Sequence, residues 1–188
     1  VILGKAAEIE LPPQMEPLRE RATLDGLTLD GLHRRIAGEV MTTGRYGLLP
    51  GLSNGEPFIA GYGAESITSW DTTQGTLDYV VLNESGPERD RSTGAWELVE
   101  KYRECWSYDG KYQSRIWTEA KGWSSADEAD ALTPKRKTLD FLPFTFIGST
   151  DLTADPDDVP LYGLAKLAVR AYRLDADRTW ALHMNQTH

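Results

Sequence analysis

The chain has 188 residues, 40% of them apolar and 26% charged, which suits one substantial domain whose own hydrophobic core needs neither disulfide nor metal to hold it. Its formal net charge of -9 opposes a broad non-specific nucleic-acid footprint, and a single cysteine, Cys105, excludes an intramolecular disulfide. No run approaches the roughly 20 apolar residues that span a bilayer as a helix.

Residues 1–22 are thin in structural signal: Ile9-Glu10-Leu11 alternates, Pro12-Pro13 marks a turn, and Met15 to Ala22 suits two helical turns. The segment 23–44 reads as a helical element whose period runs from Thr28 to Thr43. Leu29, Leu32, Ile36 and Val40 recur at steps of three and four, with Thr28 placed to cap the start and Gly44 to stop the end.

From 45 to 117 the pattern becomes that of an antiparallel β region. Tyr46 to Leu49, Pro57 to Tyr62 and Thr76 to Asn83 are short and rich in aromatic or β-branched residues, separated by Asn54-Gly55 and Thr73-Gln74-Gly75. Ala95 to Trp106 and Lys111 to Trp117 flank Asp109-Gly110, a strong hairpin signal. The stretch 118–138, polar and acidic and closing on the basic tetrad Pro134-Lys135-Arg136-Lys137, reads as a flexible loop or insertion. A final apolar strand is expected over 139–148, where Pro143 favours an edge, a bulge or a break.

An acidic connection, Asp151 to Asp158, leads into a long helix over 159–183 that starts at Pro160, a residue suited to the first helical turn. Leu161, Leu164, Ala168 and Ala171 form one apolar stripe. Tyr162, Ala165, Val169, Tyr172, Ala176 and Trp180 form a second beside it, and Lys166, Arg170, Arg173 and Asp177 line the remaining polar side. At about 1.5 Å per residue the helix would be roughly 35 Å long, and its two stripes require partners on two sides. One is expected to be the β region, the other to lie outside this chain. A start at Val1 and an end at His188 without a clear cap are the pattern of a polypeptide that continues. The whole reads as α+β over 1–188, a mostly antiparallel β middle flanked by an N-terminal amphipathic helix and a long C-terminal one.

Chemical motifs are weak. Gly51-Leu52-Ser53-Asn54-Gly55 matches the G-x-S-x-G nucleophile pattern, but that motif needs a sharp strand-to-helix turn, whereas Asn54-Gly55 reads as a hairpin turn. Asp151, Thr153, Asp155 and Asp157 have the spacing of early calcium-loop ligands, yet Pro156 and Tyr162 stand where glycine and a closing glutamate belong. One cysteine and the scattered His33, His183 and His188 supply no zinc set, and no phosphate-binding glycine pattern occurs. Glu119 and Asp127 are acidic but sit in the expected loop, a poor frame for acid/base geometry. No catalytic residue, cofactor or metal is therefore assigned.

Four ordered stretches carry a resemblance. They are Glu8-Ile9-Glu10-Leu11-Pro12 with the helix and Thr42 to Leu49; Pro57 to Tyr62 with Glu65 to Trp70; Leu142 to Gly148; and Pro160 to Ala165 with Tyr172 to Asp177 and Ala181-Leu182-His183. Together they resemble the N-terminal half of portal proteins of tailed double-stranded-DNA bacteriophages, in particular the portal-like family grouped under a domain of unknown function. Residues 85–138 lie outside the resemblance. It implies a structural, non-enzymatic subunit: a wing-like module of a ring, commonly of about twelve copies, at one capsid vertex. The ring would pass double-stranded DNA, dock the terminase motor, and meet capsid or scaffold protein and head–tail connector proteins. The implied place is the virion, with host cytoplasm during assembly and no membrane. On that reading Tyr162, Val169, Tyr172, Ala176 and Trp180 are candidates for packing against another subunit or domain, and Arg170 and Arg173 for ion pairs between subunits. A tail-associated or adhesion β module binding protein or glycan through Trp96, Trp106, Tyr112 and Trp117 is the alternative, with a Ser53 hydrolase behind it.

Overall fold

A computed structural model describes residues 8–118, 124–127 and 139–186. It is an α+β structure. Helix α1 spans Leu29–Thr43, so the helix proper starts later than 23. The Thr28 hydroxyl accepts from the Gly31 amide at 3.1 Å, and Gly44, at φ 81°, closes the end by donating its amide to the Val40 carbonyl at 2.9 Å. Leu32 is buried, while His33, Arg34 and Arg35 face solvent. Ahead of it Pro13–Arg19 forms a 3₁₀ turn that buries Leu18. The Ala22 carbonyl then accepts from the Ile59 amide at 2.7 Å, tying this segment to a sheet edge.

The strands are β1 Arg45–Ser53, β2 Glu56–Gly63, β3 Ile67–Thr73, β4 Thr76–Asn83, β5 Gly86–Arg89, β6 Trp96–Val99, β7 Lys101–Tyr108, β8 Lys111–Thr118, β9 Ser124–Asp127 and β10 Thr145–Gly148. Among the described residues they form antiparallel sheets in the orders β10-β1-β2, β3-β4-β7-β8-β9 and β5-β6. Asn54-Gly55, Gln74-Gly75 and Asp109-Gly110 all take positive φ at both positions, as two-residue hairpin turns demand.

The three-stranded and five-stranded sheets face each other over one core. Leu49 and Tyr62 from the first meet Ile67, Val80, Leu82, Cys105 and Tyr112 from the second. Leu142, Phe144 and Phe146 close it. At one end the Tyr62 hydroxyl and the Arg103 guanidinium both donate to Glu84, at 2.7 and 2.6 Å, joining the sheets through a half-buried ion pair. Near β10, Arg45 is buried between the Trp70 and Phe146 rings, 4.5 Å from each centroid, and donates to the Ala154 carbonyl.

Several sequence expectations change. The strand expected over 139–148 shrinks to β10, because Pro143 has no amide to give a ladder; Leu139 instead accepts from the Tyr112 amide at 2.8 Å, and the chain crosses from one sheet to the other. Within 118–138, read as a loop, β9 pairs with β8; the basic tetrad at 134–137 and Glu119 lie outside the described residues. The strand expected from Ala95 to Trp106 divides into β6 and β7, although its register does not change. Tyr79 faces Trp106, Asn83 faces Tyr102 and Gly86 faces Val99, so β5-β6 prolongs the β4-β7 ribbon. The interruption is chemical: Ser85 Oγ accepts from the Lys101 amide at 3.0 Å, replacing a ladder bond. Strand β3 and the β5-β6 pairing were not foreseen.

Helix α2 spans Tyr162–Gln186. The expectation that one of its stripes packs on the β region is not met, because the side chains from Tyr162 to Asn185 are exposed. Its base is anchored where the Leu161 amide donates to the Met41 carbonyl at 3.2 Å, at the end of α1. The two sheets already cover each other's inner faces, so the β core offers α2 no inner face to cover.

Candidate interaction surfaces

Two exposed surfaces follow from these elements. The first is α2 itself. Tyr162, Val169, Tyr172, Ala176 and Trp180 are brought onto one helix, and none touches a core: Tyr172 is 77% and Trp180 66% exposed. At 100° per residue Tyr162, Val169, Ala176 and Trp180 share a narrow stripe, with Lys166 and Arg173 directly beside it and Arg170 on its flank; Tyr172 lies at its opposite border. The Lys166 ammonium sits 4.3 Å from the Tyr162 ring centroid, so cation and aromatic present a joint surface. Among the described residues Arg170 and Arg173 form no ion pair within the chain.

The second surface is the outer face of the five-stranded sheet. Strand alternation sends Val80, Leu82, Cys105 and Ser114 inward, and Tyr79, Glu104, Trp106, Arg115 and Trp117 outward. There the Tyr79 hydroxyl donates to one Glu104 oxygen at 3.0 Å and the Trp117 indole N–H to the other at 2.8 Å. The Arg115 guanidinium stands 5.3 Å from the Trp106 ring centroid and 5.5 Å from that of Trp117. Burial, helped by the hydrogen bond to Glu104, raises the Tyr79 hydroxyl pKa and keeps it a donor. Beside this network lies an open depression lined by Asp71, Asp78, Glu104, Trp106, Tyr108 and Arg115 among others. Asp78 Oδ1 is buried there without a hydrogen-bond partner among the described residues.

Continuing register carries the ribbon onward to Trp96 and Leu98, 70% and 77% exposed. Its tip is tied by Asp90, which accepts from the Ser92 amide and hydroxyl and the Thr93 hydroxyl. Those hydrogen bonds, the Ser92 amide first, hold its carboxyl down at about 2. Of the aromatic residues expected on one recognition surface, Trp106 and Trp117 share the outer face and Trp96 extends it. Tyr112 does not belong: it is buried, and its hydroxyl donates to Cys105 Sγ at 3.4 Å. The outer network itself was not foreseen. Its signal was present in Tyr102-x-Glu104-x-Trp106 and Gln113-x-Arg115-x-Trp117, which the Asp109-Gly110 turn brings into register with Glu104 opposite Arg115.

The other motifs have plain structural settings. Ser53 ends β1, and Asn54-Gly55 returns the chain directly into β2, so the strand-to-helix elbow of a hydrolase nucleophile is not formed. In the acidic connection, Asp151 accepts from the Thr153 amide and hydroxyl at 2.9 and 2.7 Å, and Asp157 accepts from the Thr150 amide at 2.9 Å. Asp155 and Asp157 also contribute a favourable field at Arg45, whose pKa burial lowers. Among the described residues no group of three or more His, Cys, Asp or Glu converges as a metal would require, and no helix is long and apolar enough to cross a membrane. No family model matches the chain, and no curated protein matches it.

Proposed function

We propose that this chain is a structural subunit of a portal-type ring of a tailed double-stranded-DNA bacteriophage, built into the ring through α2. The observation that carries the reading is the exposure of that helix. About 37 Å of helix at 1.5 Å per residue leaves Tyr162, Leu164, Leu167, Val169, Tyr172, Leu174, Trp180 and Leu182 in water on a chain whose β core is already closed. A helix standing alone in water is marginal, and helices in proteins draw most of their stability from tertiary packing, so this one calls for an external partner. The ordered resemblance of the N-terminal segment, β1–β3, β10 and α2 to portal wings supports a ring of like subunits as that partner. In such a ring DNA is a passenger, and a net charge of -9 suits a passage that avoids tight phosphate contacts. Terminase, capsid or scaffold protein and head–tail connectors would dock on the assembled ring.

Electron microscopy of the complete gene product tests this. Closed rings with a central opening, of about twelve copies, are expected; a product that stays monomeric at micromolar concentration sinks the proposal. Within it, Tyr172→Asp places a charge on the second stripe and is expected to lower ring yield at least tenfold. Normal rings from that variant would remove Tyr172 from the interface.

A further inference from the structure

Charge is divided unequally along this chain. Helix α2 carries four cations, Lys166, Arg170, Arg173 and Arg178, against two carboxylates, Asp175 and Asp177. The remaining residues therefore hold sixteen cations against twenty-seven carboxylates. The helix is locally positive and the body strongly negative. Between copies, opposite potentials steer approach and like ones repel, so the α2 of one copy is drawn to the body of another.

One place on that body matches the helix chemically. The aromatic-cationic side of α2 presents Tyr162, Val169 and Trp180 with Lys166 and Arg173 beside them. The outer depression of the five-stranded sheet presents Trp106 and the exposed Tyr108 among Asp71, Asp78 and Glu104, with one cation, Arg115. The exposed Asp71 is an acceptor such a helix could satisfy. The dimensions also agree. Tyr162 to Trp180 covers about 27 Å of helix at 1.5 Å per residue, and the outward row from Tyr102 to Tyr108 about 20 Å at 3.3 Å per residue, prolonged by Leu98 and Trp96.

We infer that α2 of one copy docks on the outer face of the five-stranded sheet of a second copy, its Lys166 and Arg173 side over the depression between Asp71, Trp106 and Tyr108. This rests on the assembly reading above, which leaves open the surface that receives the helix.

The test uses two differently tagged copies of the complete gene product, one carrying Tyr108→Cys and the other Arg173→Cys, mixed and treated with a short bifunctional maleimide. Native Cys105 is buried, and the unsubstituted protein treated with the same reagent gives the background. A covalent dimer containing both tags is expected. A second arm reverses Lys166, Arg170 and Arg173 together to glutamate, which is expected to weaken self-association at least tenfold. Mixing that variant with Asp71→Lys copies should recover several-fold of the loss. Asp71 is exposed and, among the described residues, its side chain accepts only from the adjacent Thr72 amide, so its replacement should leave the fold intact, as circular dichroism would verify. Rings that form without a 108–173 cross-link, or a charge reversal without effect, overturn the docking site while the ring reading stands. A wild-type product that never assembles removes both.

Discussion

Arg45 shows how one side chain fastens a loop to a core. Its guanidinium is held between Trp70 and Phe146 and donates a hydrogen bond to the Ala154 carbonyl, so the cation lies against apolar rings and tethers the connection before α2. Burial lowers its pKa, opposed by the negative field of Asp155 and Asp157. Arg45→Met keeps most of the stem but leaves that carbonyl short of a donor; a loss of about 2–4 kcal/mol in urea denaturation is expected. Arg45→Lys should recover only part of it, since an ammonium cannot stack as a planar fork does. Close contact also fixes residue identity at Gly47, where a Cβ would enter the space of the Phe144 ring. Neither role was readable in the sequence. Arg45 stood at a strand start beside a helix stop, and only the fold brings Phe146 and Ala154 to it from a hundred residues away.

At the scale of elements, legibility followed the range of the interactions. Thr28, Gly44, Asn54-Gly55 and Asp109-Gly110 act on their immediate neighbours, so the ends of α1 and the turns of two hairpins could be read directly. Strand β3 is largely exposed and polar, Thr68 and Ser69 beside Asp71 to Thr73, and carries no apolar alternation; pairing with β4 makes it a strand. The break between β6 and β7 depends on Ser85 reaching Lys101, sixteen residues away. For α2 the composition was legible, whereas the lack of any packing on its own β core was not, because that depends on the two sheets having covered each other. Its exposed length predicts a dynamic signature. In hydrogen exchange on dilute protein, α2 amides beyond the first turn should exchange at least tenfold faster than those of β4 and β7, and slow markedly in assembled material. Equal protection in the dilute protein would mean that α2 has found a partner at that concentration.

For the whole molecule, the Glu84 bridge couples sheet cohesion to pH. Burial alone would raise the Glu84 pKa, but the hydrogen bond and charge of Arg103, with the Tyr62 hydroxyl, outweigh it and bring it below the ordinary 4.5. A depressed carboxylate contributes stability that is fully present above its unfolded value and lost as pH falls through its folded one. The melting temperature should therefore decline on acidification below about pH 4.5, more steeply in the native chain than in Glu84→Gln, which starts lower by about 2–8 °C at pH 7 for a loss of about 1–2 kcal/mol. Parallel acid profiles would detach this bridge from the effect. Cohesion of the two sheets has a further, chemical reading at Cys105. The chain's one thiol has no solvent exposure, lies in the core between the sheets and receives the Tyr112 hydroxyl. An alkylating reagent can reach it only when the layers part, so its labelling rate is a clock already installed in the wild-type protein, timing each opening of the core without any added probe.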